Sequence, residues 1–289
     1  VKRNFPTLFL ALLASPIASL VALAAPPAEL LAAAERGDAA AQVKLGKAYA
    51  KGNGVTKDPA QALQWLQKAA VSGNADAEFQ LGVLFLTGQS GTKNSQEASV
   101  WFRKAAEHGN AIAQFNLGLM LIRGDGLERD EAEGFRRINQ AADQEMPEAL
   151  EKVGSAFYFG ELGQKRDYKK AFPFLLKAAR LGRHPAQNTV GMMYRYGHGV
   201  GLDVEAAKVW LRQAAEHGDA KAQSNLGTVI LSQHHDTRNQ IEGLKWLLIA
   251  QQRGEVTAEK GLSMVSMKLA PADRAEARRL ASEFTPKQQ

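Results

Sequence analysis

Glycine recurs at Gly46, Gly82, Gly118, Gly154, Gly191 and Gly227, at intervals of 36, 36, 36, 37 and 36 residues. All four tryptophans, Trp65, Trp101, Trp210 and Trp246, share one phase of that period. A period near 36 constrains the chain to a stack of small supersecondary units, because each unit is too short to bury its own apolar face and must lean on the next. A stack has no single core whose size caps the chain, so one elongated domain is expected from 289 residues. Such an architecture points to a binding scaffold before any catalytic motif is considered.

The first unit, residues 39–74, carries the local logic. Ala41, Leu45, Ala48 and Tyr49 mark one face of a first helix, helix A, which Gly52 and Gly54 end. Asp58 then offers an acceptor to unpaired helix N–H groups, Pro59 suits the first helical position, and Gln61 predicts a capping box. Helix B follows, with Ala62, Trp65, Leu66, Ala69 and Ala70 as its apolar stripe and Gly73 as its stop.

The columns persist in the later units. The helix B cap reads Asp58, Asn94, Asp130, Asp167, Asp203 and Asn239. Alanine is unbroken at Ala41, Ala77, Ala113, Ala149, Ala186, Ala222 and Ala258, which predicts close helix approach where a larger side chain would clash. The glycine column argues the same way, since glycine inside a helix costs about 1 kcal/mol relative to alanine and is kept in phase all the same. Three departures stand out. The fourth unit has one extra residue between Gly160 and Asp167, Pro173 is expected to bend or break its helix B, and the sixth unit replaces the glycine turn with Gln233-His234-His235-Asp236.

The ends read differently. Lys2 and Arg3 precede an uncharged run from Phe5 to Ala24 that closes on Ala22-Leu23-Ala24, the pattern of a secretory signal cut before Ala25. The competing reading is a retained membrane anchor. Residues 25–36 are expected to form an N-terminal capping helix, 37–255 the solenoid, and 256–289 a degenerate repeat with a capping helix. The chain has no cysteine, which excludes disulfides, thiolate metal sites and a cysteine nucleophile. The net charge of +6 falls to +4 without Lys2 and Arg3, too slight and dispersed an excess to argue for nucleic acid.

The columns AxAQxxLG, YxxGxGV, a capping Asp and AxxWxxKAA, best kept in ADAEFQLG with WFRKAAEHGN and in AKAQSNLG with WLRQAAEHGD, resemble the Sel-one-like repeat, a tetratricopeptide-like family. The resemblance implies an all-α, right-handed superhelical solenoid of about six antiparallel helix pairs with capping helices, whose concave face binds a partner protein or peptide. It also implies adaptor or envelope-regulator roles. A cysteine-rich branch of the family is linked to β-lactam binding, and this chain departs from that branch.

No catalytic, metal or cofactor motif emerges from the residues. His234 and His235 are adjacent rather than one turn apart, and His108 and His217 sit at helix B ends where they complement the helix dipole. The GxG pairs Gly52/Gly54, Gly124/Gly126 and Gly197/Gly199 lie between helices, so they are terminators and not phosphate loops. Variation concentrates on helix A opposite the alanine column, at positions −3, +1 and +4 from each central glycine. The partner-binding candidates there are Phe79, Val83, Phe115, Leu119, Ile122, Tyr158, Met192 and Arg195. Leu119, Ile122, Met192 and Arg195 are expected to be exposed, while Phe79 and Phe115 suit inter-helix packing equally well. Tyr158, Tyr194 and Tyr196 offer a second reading, stacking on glycan, and a hydrolase stands third. The expected location is periplasmic or secreted, with no membrane span after cleavage.

Overall fold

The computed structural model describes residues 25–89, 91–233, 236–265 and 269–287. The N-terminal signal reading and the His234-His235 pair lie outside the described residues. Within them the chain is all-α. After α1 (Ala28–Glu35), helix A and helix B alternate through six pairs: α2 (Ala39–Lys51) with α3 (Pro59–Ala70), α4 (Ala75–Thr87) with α5 (Ser95–Glu107), and α6 (Ala111–Arg123) with α7 (Glu131–Asp143). Then come α8 (Pro147–Phe159) with α9 (Tyr168–Arg180), α10 (His184–Tyr196) with α11 (Val204–Glu216), and α12 (Ala220–Gln233) with α13 (Thr237–Gln252). Helices α14 (Thr257–Val265) and α15 (Pro271–Ser282) close the array.

Each pair is held at close range by its glycine. A β-carbon on Gly46, Gly82, Gly118, Gly154 or Gly191 would fall 2.6 or 2.7 Å from a side chain of the same unit's helix B, namely Leu66, Phe102, Ile138, Leu175 or Leu211. On Gly227 it would meet the Gly243 carbonyl at 2.7 Å. The steric need inferred from the period is therefore met inside the unit. The alanine column serves the contact between units: Ala77 is buried with Ala62, Leu66 and Ala69 of the preceding helix B, and Ala149 with Ile138, Ala141 and Ala142.

A buried glutamine makes that second contact specific. The amide nitrogens of Gln42, Gln114, Gln187 and Gln223 donate to the carbonyls of Ala34, Ala106, Ala179 and Ala215, eight residues back at the end of the preceding helix, at 3.0 to 3.2 Å. Unit two carries Glu78 here, which has no amide to donate and instead meets His108 Nδ1 of the following helix at 2.7 Å.

Two capping expectations change. Asp58 does accept from the Ala60 and Gln61 amides, but its own N–H donates to the Tyr49 carbonyl of helix A at 3.0 Å, so that amide is occupied and no capping box is needed. The same cross-turn bond recurs from Asn94, Asp130, Asp167 and Asp203. In unit six the cap is Asp236 and not Asn239, because α13 starts a turn earlier; Asp236 accepts from the Asn239 amide at 3.0 Å. Helix α9 runs unbroken through Pro173. Pro173 and Lys169, whose carbonyl it leaves without an intrahelical donor, are both exposed, so the gap in the helical ladder falls on the solvent side of α9.

The A helices of successive units touch one another at α2–α4, α10–α12 and α12–α14, and no successive pair of B helices from α3 to α13 approaches as closely. Shorter spacing along A than along B curves the stack with its A helices on the inner side. At the far end α15 packs on α13. The chain then doubles back along the B side, where Phe284 meets Trp246 edge-on at 5.3 Å and the Lys287 amide donates to the Glu216 carbonyl at 2.9 Å. No described helix is long and apolar enough to cross a membrane.

Candidate functional site on the inner A-helix face

The central glycine of each A helix faces its own helix B, so the open face lies well round the helix from it. Positions −6, −2, +1 and +5 cluster there. Ile112, Phe159 and Tyr196, from the outer rows, are 47%, 52% and 53% exposed. Of the eight sequence candidates, Val83, Leu119 and Met192 stand at +1 on the edge of that sector and the other five lie nearer the glycine; all are half-buried. Phe79 packs on Phe102 of its own unit, with ring centroids 5.8 Å apart. A β-carbon on Gly134 would reach the Ile122 side chain at 2.7 Å, which places Ile122 against helix B and corrects its expected exposure. Val83 borders the same cluster as Phe79, while Phe115, Leu119 and Tyr158 border the core formed by Ile138, Leu150 and Leu175. Met192 borders the cluster of Leu211 and Leu226. Leu119 and Met192 are therefore half-buried where exposure was expected. Arg195 also belongs to that half-buried set, and its guanidinium lies over the Tyr196 ring at 5.2 Å. The rows read from the sequence, −3, +1 and +4, and the open rows, −6, −2, +1 and +5, have the +1 row in common.

An aromatic cluster occupies this face where units four and five meet. Tyr168 and His198 stack in parallel at 4.2 Å, Tyr158 lies 5.1 Å from Tyr168, Phe159 meets Tyr158 edge-on at 4.9 Å, and Tyr196 lies 5.5 Å from His198. Burial raises the Tyr158 phenol above its ordinary pKa, and the neighbouring Tyr168 and Tyr196 phenols add to the rise while Arg166 opposes it. Tyr194 is engaged elsewhere, edge-on against Phe172 at 5.5 Å. Phe159, Tyr168 and His198 were not identified from the sequence. The signal available was the row at +5, where Phe159 and Tyr196 replace Lys51, Thr87 and Arg123.

The charges on this face are unequally partnered. Asp76 is bound by Lys47 at 2.6 Å, and Arg183 binds Glu148 at 3.0 Å and Glu151 at 2.7 Å. These pairs, with the Asn225 amide donating to Asn188 at 2.8 Å, tie successive A helices together. Among the described residues Lys44, Lys51, Arg123, Lys152 and Lys221 of the same face enter no ion pair. No three His, Cys, Asp or Glu side chains converge to hold a metal among the described residues.

The Sel1 repeat model matches six times, at residues 39–74, 75–110, 111–145, 147–182, 184–219 and 220–254. The chain belongs to the Sel1 repeat family. A Sel1 repeat protein from Oxalobacter formigenes superposes with a TM-score of 0.63 at 30% identity, covering 75% of this chain and 89% of that one. The c5321 protective antigen of uropathogenic Escherichia coli, which displays the same fold, superposes with a TM-score of 0.58 at 27% identity, over 88% of this chain and 63% of the antigen. In Arabidopsis thaliana the ERAD-associated E3 ubiquitin-protein ligase component HRD3B is 30% identical over 103 residues, which is 35% of this chain and 16% of HRD3B. This Sel1 array therefore shares its repeat with proteins that otherwise differ in length.

Proposed function

We propose that this Sel1 repeat protein is an exported, non-catalytic scaffold that holds a partner protein or peptide on its inner A-helix face, as an adaptor or regulator of a bacterial envelope. The observation that carries the reading is the inner face itself, where unpaired cations and two exposed rings stand on helices locked by glycine, glutamine and ion-pair contacts. A rigid face of this kind binds without first having to order itself. HRD3B, a component of a ligase complex, is consistent with a scaffold role for the shared repeat.

Crosslinking in cells followed by capture of the protein tests the reading. A discrete partner, recovered from the periplasm or medium with a protein chain that begins at Ala25, is the expected result. Recovery of the protein alone would remove the scaffold reading, and an intact N-terminus in the membrane fraction would replace export with anchoring. Tyr196 and Phe159, as exposed rings, favour a second reading in which the face stacks on glycan. Retention on purified cell wall, without capture of any protein, would support it.

A further inference from the structure

We infer that the inner face takes an acidic peptide segment carrying an aromatic side chain, with the ring seated at Phe159 and Tyr196 and the carboxylates on Arg123, Lys152 and the cations beyond them. The inference rests on the scaffold reading and deepens it. Its first support is charge: Asp76 and Glu148 on this face are already neutralised by Lys47 and Arg183, whereas Lys44, Lys51, Arg123, Lys152 and Lys221 have no ionic partner among the described residues. A basic segment would meet uncompensated positive charge along most of the array, while an acidic one would find partners from the first unit to the last.

The second support is the arrangement of rings between those cations. Phe159 and Tyr196 occupy the same row in consecutive units, and Arg123 occupies it one unit earlier. Lys152 stands seven residues before Phe159, two turns back on the same side of α8. Phe159 is backed edge-on by Tyr158, Tyr196 lies at a tilt against His198, and Tyr158 and His198 both contact Tyr168, so the exposed rings belong to one chain of five contacting aromatic groups. Gly199 fixes that chain from below, since a β-carbon there would lie 2.2 Å from the Tyr168 carbonyl oxygen. Rings held in this way lose little freedom when a ligand ring stacks on them. A carboxylate beside a ligand aromatic then reaches Lys152 or Arg123, which makes both chemistries of the ligand necessary at once.

Selection from a displayed library of random 12-residue peptides tests this directly. The enriched sequences are expected to combine Asp or Glu with Trp, Tyr or Phe. A fluorescein-labelled consensus peptide should bind the full chain with an affinity that falls as salt rises. Arg123→Glu with Lys152→Glu, and separately Phe159→Ala with Tyr196→Ala, should each weaken it by about tenfold or more, the loss typical of removing central contacts. The first variant pair lies on exposed or half-exposed polar positions away from the ring cluster, so it carries the test even if the second lowers the melting temperature.

Enrichment of basic or uncharged peptides, no enrichment, or undiminished binding by the charge-reversed variant would each overturn the inference. So would equal binding of a labelled single-stranded oligonucleotide, which would make the face a general polyanion surface. If crosslinked partner capture persists in the charge-reversed variant while the peptide result fails, the scaffold reading stands and only the ligand chemistry is wrong.

Discussion

A β-carbon placed on Gly126 would lie 2.4 Å from the Ser95 carbonyl carbon, and one on Gly199 would lie 2.2 Å from the Tyr168 carbonyl oxygen. Both glycines close an A-to-B turn and press on the start of helix B in the preceding unit. Gly54 has the same left-handed backbone, with φ of +72° against +78° at Gly126, yet nothing lies within 4 Å of it, because no repeat unit precedes unit one. Alanine at either site meets the same backbone strain, of order 1 kcal/mol or more. Gly126→Ala should therefore cost about 1–3 kcal/mol more than Gly54→Ala, the added loss reporting the collision between units. Denaturant melts of the two variants check this. The turn role of these glycines was legible in the sequence, since GxG between two helical patterns means termination. Their clamping role was not, because the atoms they press on lie about thirty residues earlier. The glutamine of AxAQxxLG was equally visible as a column and equally silent about its bond, which runs to a backbone carbonyl that no side-chain pattern encodes.

At the scale of the helix, Pro173 shows how position decides cost. Its missing N–H falls where Lys169 and water are neighbours, so α9 persists, but the proline still removes a helical bond and holds its ring against the preceding turn. Pro173→Ala should raise stability by roughly 1–3 kcal/mol, part of the usual penalty for proline inside a helix, and a thermal melt reads it. Helix ends bring a second case. His184 opens α10 and stacks on His217, which follows α11, at 4.5 Å. Burial, and then the neighbouring His217, lower its pKa below the ordinary 6.5, with Asp219 opposing them. The folded state thus holds a proton on His184 less readily than the unfolded chain does. This contribution to stability is complete above about pH 6.5 and is lost as pH falls toward the folded value. The melting temperature should decline more steeply between pH 7 and 5 in the wild type than in His184→Gln. Helix existence and the first five caps were readable from periodicity and Asp or Asn placement. The sixth cap was misplaced because the lost glycine turn left the phase as the only guide, and α13 extends a turn beyond it.

For the whole molecule, a stack whose units touch only their neighbours is as stable as its ends allow. Helix α15 and the returning segment to Lys287 cover the B side of unit six, sealing Leu244 and Trp246 from water. Removing residues 271–289 should cost about 3 kcal/mol or more, the effect of re-exposing one or two buried side chains. Hydrogen exchange should show α12 and α13 losing protection while α2 to α7 keep theirs. Fold class and repeat number were legible because every copy votes on the same columns. The site was less legible, since the curve that turns one sector of helix A inward depends on the relative spacing of A and B helices, a sum over all units that no single copy states. The extra residue of unit four illustrates a different property of the same stack. It is taken up between Gly160 and Asp167, where Leu162 and Gly163 adopt positive φ of 54° and 72°, and α8 and α9 keep the thirteen residues of their counterparts. An added residue inside a helix would rotate everything after it by about 100 degrees and turn buried columns toward water. The turns are thus the punctuation of this chain, where length can drift in evolution or a foreign epitope be spliced in, while the helices between them must be copied whole.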